Sequence, residues 1–102
     1  MFRVMLLSSA LAISVTAKAQ TVPAGYIVDQ YVTSGLSQPT QMAFIGPNEW
    51  LICEKATGKV KRYFGNVFQN EVIDLPVNAS SERGLLGIAV DPDFETNKRV
   101  YL

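Results

Sequence analysis

Residues 40–75 decide the fold, and they read TQMAFIGPNEWLICEKATGKVKRYFGNVFQNEVIDL. Runs of β-branched and aromatic residues alternate with clusters of Gly, Pro and Asn, which is the composition of strands separated by turns. The pattern predicts four short strands, which are residues 40–45, 50–54, 59–64 and 67–75. No window shows the 3.6-residue periodicity of an amphipathic helix. The stretch therefore predicts an antiparallel meander in an all-β fold.

The sequence outside this meander extends the same pattern. Residues 26–33 (YIVDQYVT) predict a further strand because they are rich in β-branched and aromatic residues. Residues 42–47 are echoed by residues 88–92, and in each copy a second apolar segment follows the proline. The offset of about 45 residues is typical of β-propeller blades, although a meander can also belong to a sandwich or a barrel.

The first 19 residues predict a cleaved signal peptide. Arg3 precedes an uncharged, mostly apolar run at residues 4–15, and Ala17-Lys18-Ala19 has the small-x-small pattern of a cleavage site. The run is shorter than the roughly 20 apolar residues that a membrane-spanning helix needs. We expect cleavage between Ala19 and Gln20, a mature chain of residues 20–102 without a membrane span, and a periplasmic or extracellular location.

Composition excludes several classes of function. The 102 residues hold nine basic and nine acidic side chains, no histidine and one cysteine. A net charge of zero offers no electrostatic basis for binding nucleic acid. Without histidine the chain cannot build a Ser-His or Cys-His nucleophile or a histidine metal site, and one cysteine cannot form an internal disulfide. Cys53 lies in an apolar run and is predicted to be a small buried side chain.

The most distinctive segment is residues 81–94, SERGLLGIAVDPDF. From the residues alone it predicts a polar loop that ends at Gly84, then a buried strand, then a turn at residues 91–93. Gly87 inside the strand indicates a bulge or a close backbone approach. This interpretation needs no chemical role for the segment.

As a string, the segment and much of the chain before it resemble the glucose/sorbosone dehydrogenase family. The resemblance covers roughly residues 33–102, in order and with the family's spacings. It is carried by residues 35–36, 39–44, 47, 51, 54, 58–60, 75–77, 82–89, 91–94, 97 and 100–101.

The resemblance implies a six-bladed β-propeller, of which this chain would form about one blade and the start of the next. It implies an oxidoreductase that oxidises a sugar or another alcohol and passes electrons through pyrroloquinoline quinone (PQQ), with bound calcium, to an acceptor. The family's histidine base, calcium ligands and quinone-pairing arginines lie further along the chain. The sequence therefore assigns no catalytic residue and no metal ligand here.

Glu82 and Arg83 are the candidate cofactor-binding residues. Glu82 occupies the position two before Gly84, where the resemblance leads us to expect an amide. A carboxylate beside an anionic quinone is repulsive unless a cation pairs with it, and this departure places sugar-dehydrogenase specificity in doubt. Arg83 can pair with Glu82 or with an anionic ligand, and the alternative is a solvated loop pair.

Two further sets of charged residues have structural interpretations. Glu54 matches a family position, and we expect it to fix the following turn or to bond a neighbouring blade. Lys59, Lys61 and Arg62 alternate with apolar residues and are predicted to form the exposed face of a strand.

The chain ends at Leu102 inside a predicted strand, which predicts an N-terminal fragment of a larger protein that is inactive alone. The alternative functions are a non-catalytic extracellular propeller that binds protein partners, and a gene fragment without a function of its own.

Overall fold

A computed structural model describes residues 21–102. The predicted signal peptide, residues 1–19, lies outside the described residues. Within residues 21–102, six strands and one single-turn helix follow one another. They are β1 (Pro39–Gly46), β2 (Glu49–Glu54), β3 (Lys59–Phe64), β4 (Val67–Asp74), β5 (Ala89–Val90), α1 (Phe94–Asn97) and β6 (Val100–Tyr101).

The first four strands form one antiparallel sheet in the order β1-β2-β3-β4, which confirms the predicted meander. The turns use residues that tolerate positive φ: Asn48 before β2, Gly58 before β3 and Gly65 before β4. Gly58 is the most constrained, since a Cβ there would lie 2.0 Å from the carbonyl oxygen of Leu75. The turn composition of the sequence thus determines where each strand ends.

The last two strands form a second, two-stranded antiparallel sheet. Asp91 fixes the connection between them: its carboxylate accepts hydrogen bonds from the Asp93 N–H and the Asn97 side chain at 2.9 Å, and from the Tyr101 hydroxyl at 2.6 Å. These bonds hold the pKa of Asp91 below its usual value, and the bond from Tyr101 has the largest effect. Each copy of the predicted repeat begins an antiparallel strand pair, as the sequence predicts.

The inner strands of the large sheet are buried on both faces. On one face Leu51, Cys53 and Val60 pack against Leu85 and Ile88 from the segment before β5. On the other face a cluster forms that consists of Trp50, Ile52 and Tyr63, with Val32 and Leu36 packed against it. The Trp50 and Tyr63 rings stack with centroids 4.6 Å apart.

Two strand predictions were wrong. Residues 26–33 form no strand: residues 26–31 are exposed and pair with no edge of the sheet, and Val32 packs on the Trp50 cluster. The segment after Gly84 is extended but becomes a strand only at Ala89–Val90. Its backbone bonds with the side chains of β1 replace the ladder of a partner strand.

The architecture is that of an all-β propeller blade, a four-stranded meander followed by the opening strands of a second unit. Within residues 21–102, no helix has the length and apolarity to cross a bilayer.

Candidate functional site

The loop that carries Glu82 and Arg83 lies between β4 and β5. A tight turn shapes it: the Arg83 N–H donates to the Ser80 carbonyl at 3.1 Å, and the Ser80 N–H donates to Asn78 Oδ1 at 3.1 Å. Ser81 has a left-handed backbone with φ 58°. The Glu82 and Arg83 side chains are both exposed, and within the described residues they form no ion pair with each other. Both are therefore open to a ligand.

Lys55, the residue after β2, supports this loop. Its carbonyl accepts the Leu85 N–H at 3.0 Å, and its ammonium donates to the Ser81 carbonyl. Gly84 lies so close to it that a Cβ would come within 2.5 Å of the Lys55 carbonyl oxygen, and its φ of 139° also disfavours other residues. The glycine that ends the loop is thus required by the approach of Lys55.

Two polar side chains of β1 hold the segment that follows the loop. Thr40 Oγ1 donates to the Leu85 carbonyl at 2.9 Å, and Gln41 Oε1 accepts the Ile88 N–H at 2.9 Å. A Cβ at Gly87 would lie 2.8 Å from Gln41 Oε1, which explains the predicted close approach at this glycine. Residues 84–87, the GLLG segment, are therefore bound to the first sheet by the backbone groups of Leu85 and Ile88. The two glycines of the segment have structural roles.

Glu54 is buried and fully hydrogen-bonded. Its carboxylate accepts from the Ser37 N–H at 2.6 Å, from Thr57 Oγ1 at 2.8 Å and from the Lys61 ammonium at 2.9 Å. Burial alone raises the pKa of Glu54, but the Ser37, Lys61 and Thr57 bonds and the Lys61 charge outweigh it, so the net pKa is lowered. The bond to Thr57 confirms the predicted role in fixing the turn.

The prediction of an exposed basic face on β3 was wrong for Lys61, whose side chain is only 14% exposed. It lies on the same face as Glu54, and its ammonium also donates to the Gly35 carbonyl at 2.7 Å. Arg62 points to the opposite face and pairs with Glu49, while Lys59 pairs with Glu71 at 2.8 Å. Each charged side chain of β3 has a carboxylate partner on a neighbouring strand.

Cys53 is fully buried beside Val60, as predicted. Burial raises the pKa of its thiol, which disfavours the nucleophilic thiolate at neutral pH. The thiol therefore contributes packing to the blade.

Comparison with known proteins identifies the family. The glucose/sorbosone dehydrogenase family model matches residues 36–102. The chain belongs to this family. It is 32% identical over 77 residues to quinoprotein glucose dehydrogenase B of Acinetobacter calcoaceticus, an alignment that covers 70% of this chain and 16% of that protein. No solved structure gives a significant match.

The matched region of this glucose/sorbosone dehydrogenase chain includes the whole meander and the loop. The chain spans about one sixth of the length of its curated relative. The family resemblance on which the sequence interpretation rests is therefore confirmed, while the roles of Glu82 and Arg83 remain predictions.

The described residues do not by themselves fit PQQ or calcium. An anionic quinone needs cationic side chains around an enclosed pocket, and this loop offers one exposed arginine beside a carboxylate. No group of three or more acidic, cysteine or histidine side chains that could hold a metal ion occurs within residues 21–102. The loop can form one edge of a larger site, and no reaction step is assigned to it.

Sequence reasoning missed the residues that support the loop. Lys55 lies in a turn, where a lysine is ordinarily a surface residue. Thr40 and Gln41 lie in a strand. Their side chains contact backbone groups of the loop segment, and these backbone partners leave no pattern in residue type. The one available sign was the glycine at position 84, which indicates that another part of the chain approaches closely.

Proposed function

We propose that this chain is the first part of an exported, PQQ-dependent sugar or alcohol dehydrogenase of the glucose/sorbosone dehydrogenase family. The observation that carries the proposal is the family match across residues 36–102, which includes the loop with its exposed Glu82 and Arg83. The quinone, when bound, accepts two electrons from the substrate alcohol. The relative from Acinetobacter calcoaceticus is named a quinoprotein glucose dehydrogenase.

In this proposal the chain supplies structure and one edge of the site. The blade places the loop, Arg83 offers a cation to a carboxylate of the quinone, and Glu82 faces substrate or a counter-cation. The chain has no histidine to act as base, so residues 20–102 alone are inactive. Calcium and an external electron acceptor belong to the remainder of the site.

The test is reconstitution of the intact protein that contains this chain. Apoprotein is titrated with PQQ in the presence of Ca²⁺, and the quinone absorbance and the oxidation of sugars with a dye acceptor are followed. We expect saturable quinone uptake and turnover of at least one sugar or alcohol. Arg83→Gln should weaken quinone uptake about tenfold, the effect of a lost charged hydrogen bond of about 1.5 kcal/mol.

A non-catalytic binding module is the second candidate, and the Glu82 carboxylate favours it because it repels an anionic quinone. The same titration separates the two candidates. A protein that takes up no quinone at millimolar PQQ with Ca²⁺ contradicts the dehydrogenase. In that case Glu82→Gln, which introduces the amide that the resemblance leads us to expect, should still not produce uptake.

Export is proposed from the sequence of residues 1–19. Mass spectrometry of the protein recovered outside the cytoplasm should give a mature N-terminus at Gln20. A mature protein that retains Met1 contradicts the signal peptide.

A further inference from the structure

The loop of Glu82 and Arg83 is attached to the first blade at Lys55. The Lys55 ammonium donates to the Ser81 carbonyl, and the Lys55 carbonyl accepts the Leu85 N–H at 3.0 Å. These two bonds lie on either side of the two exposed residues. A segment held at both ends on one residue has its middle fixed relative to that residue.

We infer that Lys55 is the positioning residue of the site: its ammonium holds the Ser81 end of the loop, so that Glu82 and Arg83 face the ligand in one arrangement. The inference rests on the proposed function, since it concerns the same site. It assigns to Lys55 no contact with quinone or substrate.

Lys55 is itself firmly placed, which a positioning residue requires. Its N–H donates to the Gln38 carbonyl at 3.0 Å, and it follows the buried and fully bonded Glu54. Its stem lies under Gly84, where a Cβ would come within 2.8 Å of Lys55 Cγ. Lys55 as a residue is half-buried, and its ammonium meets the Ser81 carbonyl at the surface.

The Lys55 ammonium holds the Ser81 backbone in its unusual conformation. Ser81 has φ 58°, a left-handed backbone that a non-glycine residue adopts only when its surroundings hold it there. Removal of the ammonium releases the Ser81 carbonyl and allows this residue to return to ordinary φ. Glu82 and Arg83 then sample several arrangements, and a ligand must order them on binding.

The experiment compares four forms of the intact protein: wild type, Lys55→Met, Lys55→Arg and Lys59→Met. Lys55→Met keeps the apolar stem and removes the donor, while Lys55→Arg retains a donor. Lys59→Met is the matched control, because it removes the same charge from an exposed pair with Glu71 on the same sheet. Thermal melting first establishes that all four forms are folded.

The first measurement is hydrogen exchange of the backbone amides at residues 80–85, together with the rate of tryptic cleavage after Arg83. We expect Lys55→Met to accelerate both about tenfold, as the loss of one charged hydrogen bond allows. Lys55→Arg and Lys59→Met should behave like wild type. The second measurement is the PQQ titration with Ca²⁺, in which Lys55→Met should bind about tenfold more weakly and Lys55→Arg should recover most of the affinity.

Two results overturn the inference. One is unchanged exchange at residues 80–85 in Lys55→Met. The other is faster exchange with unchanged quinone affinity, which would make Lys55 a tether without influence on the site. If wild type binds no quinone, the proposed function fails and the role of Lys55 toward the cofactor fails with it, while the exchange data still decide whether the tether exists.

Discussion

Two regions of one sheet have opposite environments. In β2 every residue from Trp50 to Glu54 is buried, whereas in β4 every residue except the half-buried Ile73 is exposed. Val60 of β3 is fully buried, while Val67 of β4 is 58% exposed. Both valines lie in strands of the same meander, so the difference is due to position in the sheet and not to residue type.

The difference shows where the blade is held together and where its site is attached. The inner strands are covered on one face by Leu85 and Ile88 and on the other by Val32 and Leu36. The loop of Glu82 and Arg83 is bonded to Lys55 at the end of β2. A change at a buried residue of β2 or β3 should therefore reduce stability, and a change at an exposed residue of β4 should not.

The largest effect is expected at Gly58, in the turn between the inner strands. Gly58→Ala would place a Cβ 2.0 Å from the Leu75 carbonyl oxygen in a backbone with φ 69°. We expect the free energy of unfolding of the intact protein, measured by urea titration, to fall by about 3 kcal/mol or more, because strain and backbone displacement add. Gly25→Ala is the control: it has φ 88° but no atom within 4 Å of the added Cβ. An equal loss in both variants would mean that only the backbone conformation matters.

The second effect is expected at Glu54, the buried carboxylate at the end of β2. Glu54→Gln leaves the Lys61 ammonium without its charge partner at a site that is nearly closed to water. We expect a loss of about 3 kcal/mol at pH 7, the lower end of the range for breaking a buried ion pair. Glu71→Gln, which breaks the exposed pair with Lys59, should have little effect. Equal losses would contradict the difference in burial.

The Glu54 effect should depend on pH in one direction. Because the pKa of Glu54 is lower in the folded chain than in the unfolded chain, its stabilising contribution is complete above the unfolded value of about 4.3. It is lost as the pH falls through the folded pKa. The difference in unfolding free energy between wild type and Glu54→Gln should therefore be constant between pH 6 and 8 and shrink below about pH 4. A difference that grows in acid would contradict the lowered pKa.

The third effect is expected at Val60, in the core between the inner strands and the GLLG segment. Val60→Thr keeps the shape of the side chain and buries a hydroxyl among Leu51, Cys53 and Leu85. We expect a loss of about 2 kcal/mol in unfolding free energy, the cost of a buried hydroxyl without a good partner. A loss below about 0.5 kcal/mol would mean that water reaches this face of the sheet.

Much of the fold could be predicted because it depends on local sequence. The Gly, Pro and Asn clusters determine the turns, and β3 begins and ends where the sequence predicts it. The roles of Glu54 in the turn and of Cys53 in the core were also accessible, since one depends on the adjacent Thr57 and the other on its apolar neighbours.

The rest depends on what covers each strand, and local sequence does not encode this. Residues 26–33 have strand propensity, but they pair with no strand, and of this range Val32 packs on a face of the sheet. The sequence predicts that Lys61 is exposed, because only the fold brings Glu54 of the neighbouring strand beside it. The contacts of Lys55 with the loop are made through the carbonyls of Ser81 and of Lys55 itself, and a carbonyl is the same for every residue type.

The smallest effect is expected at Val67, where β4 begins. Val67→Thr is the same chemical change as Val60→Thr, but the hydroxyl would remain in water at a side chain that is 58% exposed. Since threonine is also a good strand residue, we expect the unfolding free energy of the intact protein to change by less than about 0.5 kcal/mol. Exchange at residues 80–85 should likewise match wild type. If Val67→Thr lowers the unfolding free energy as much as Val60→Thr, this end of β4 is covered in the intact protein by residues beyond those described. The contrast between inner and outer strands would then be confined to this chain.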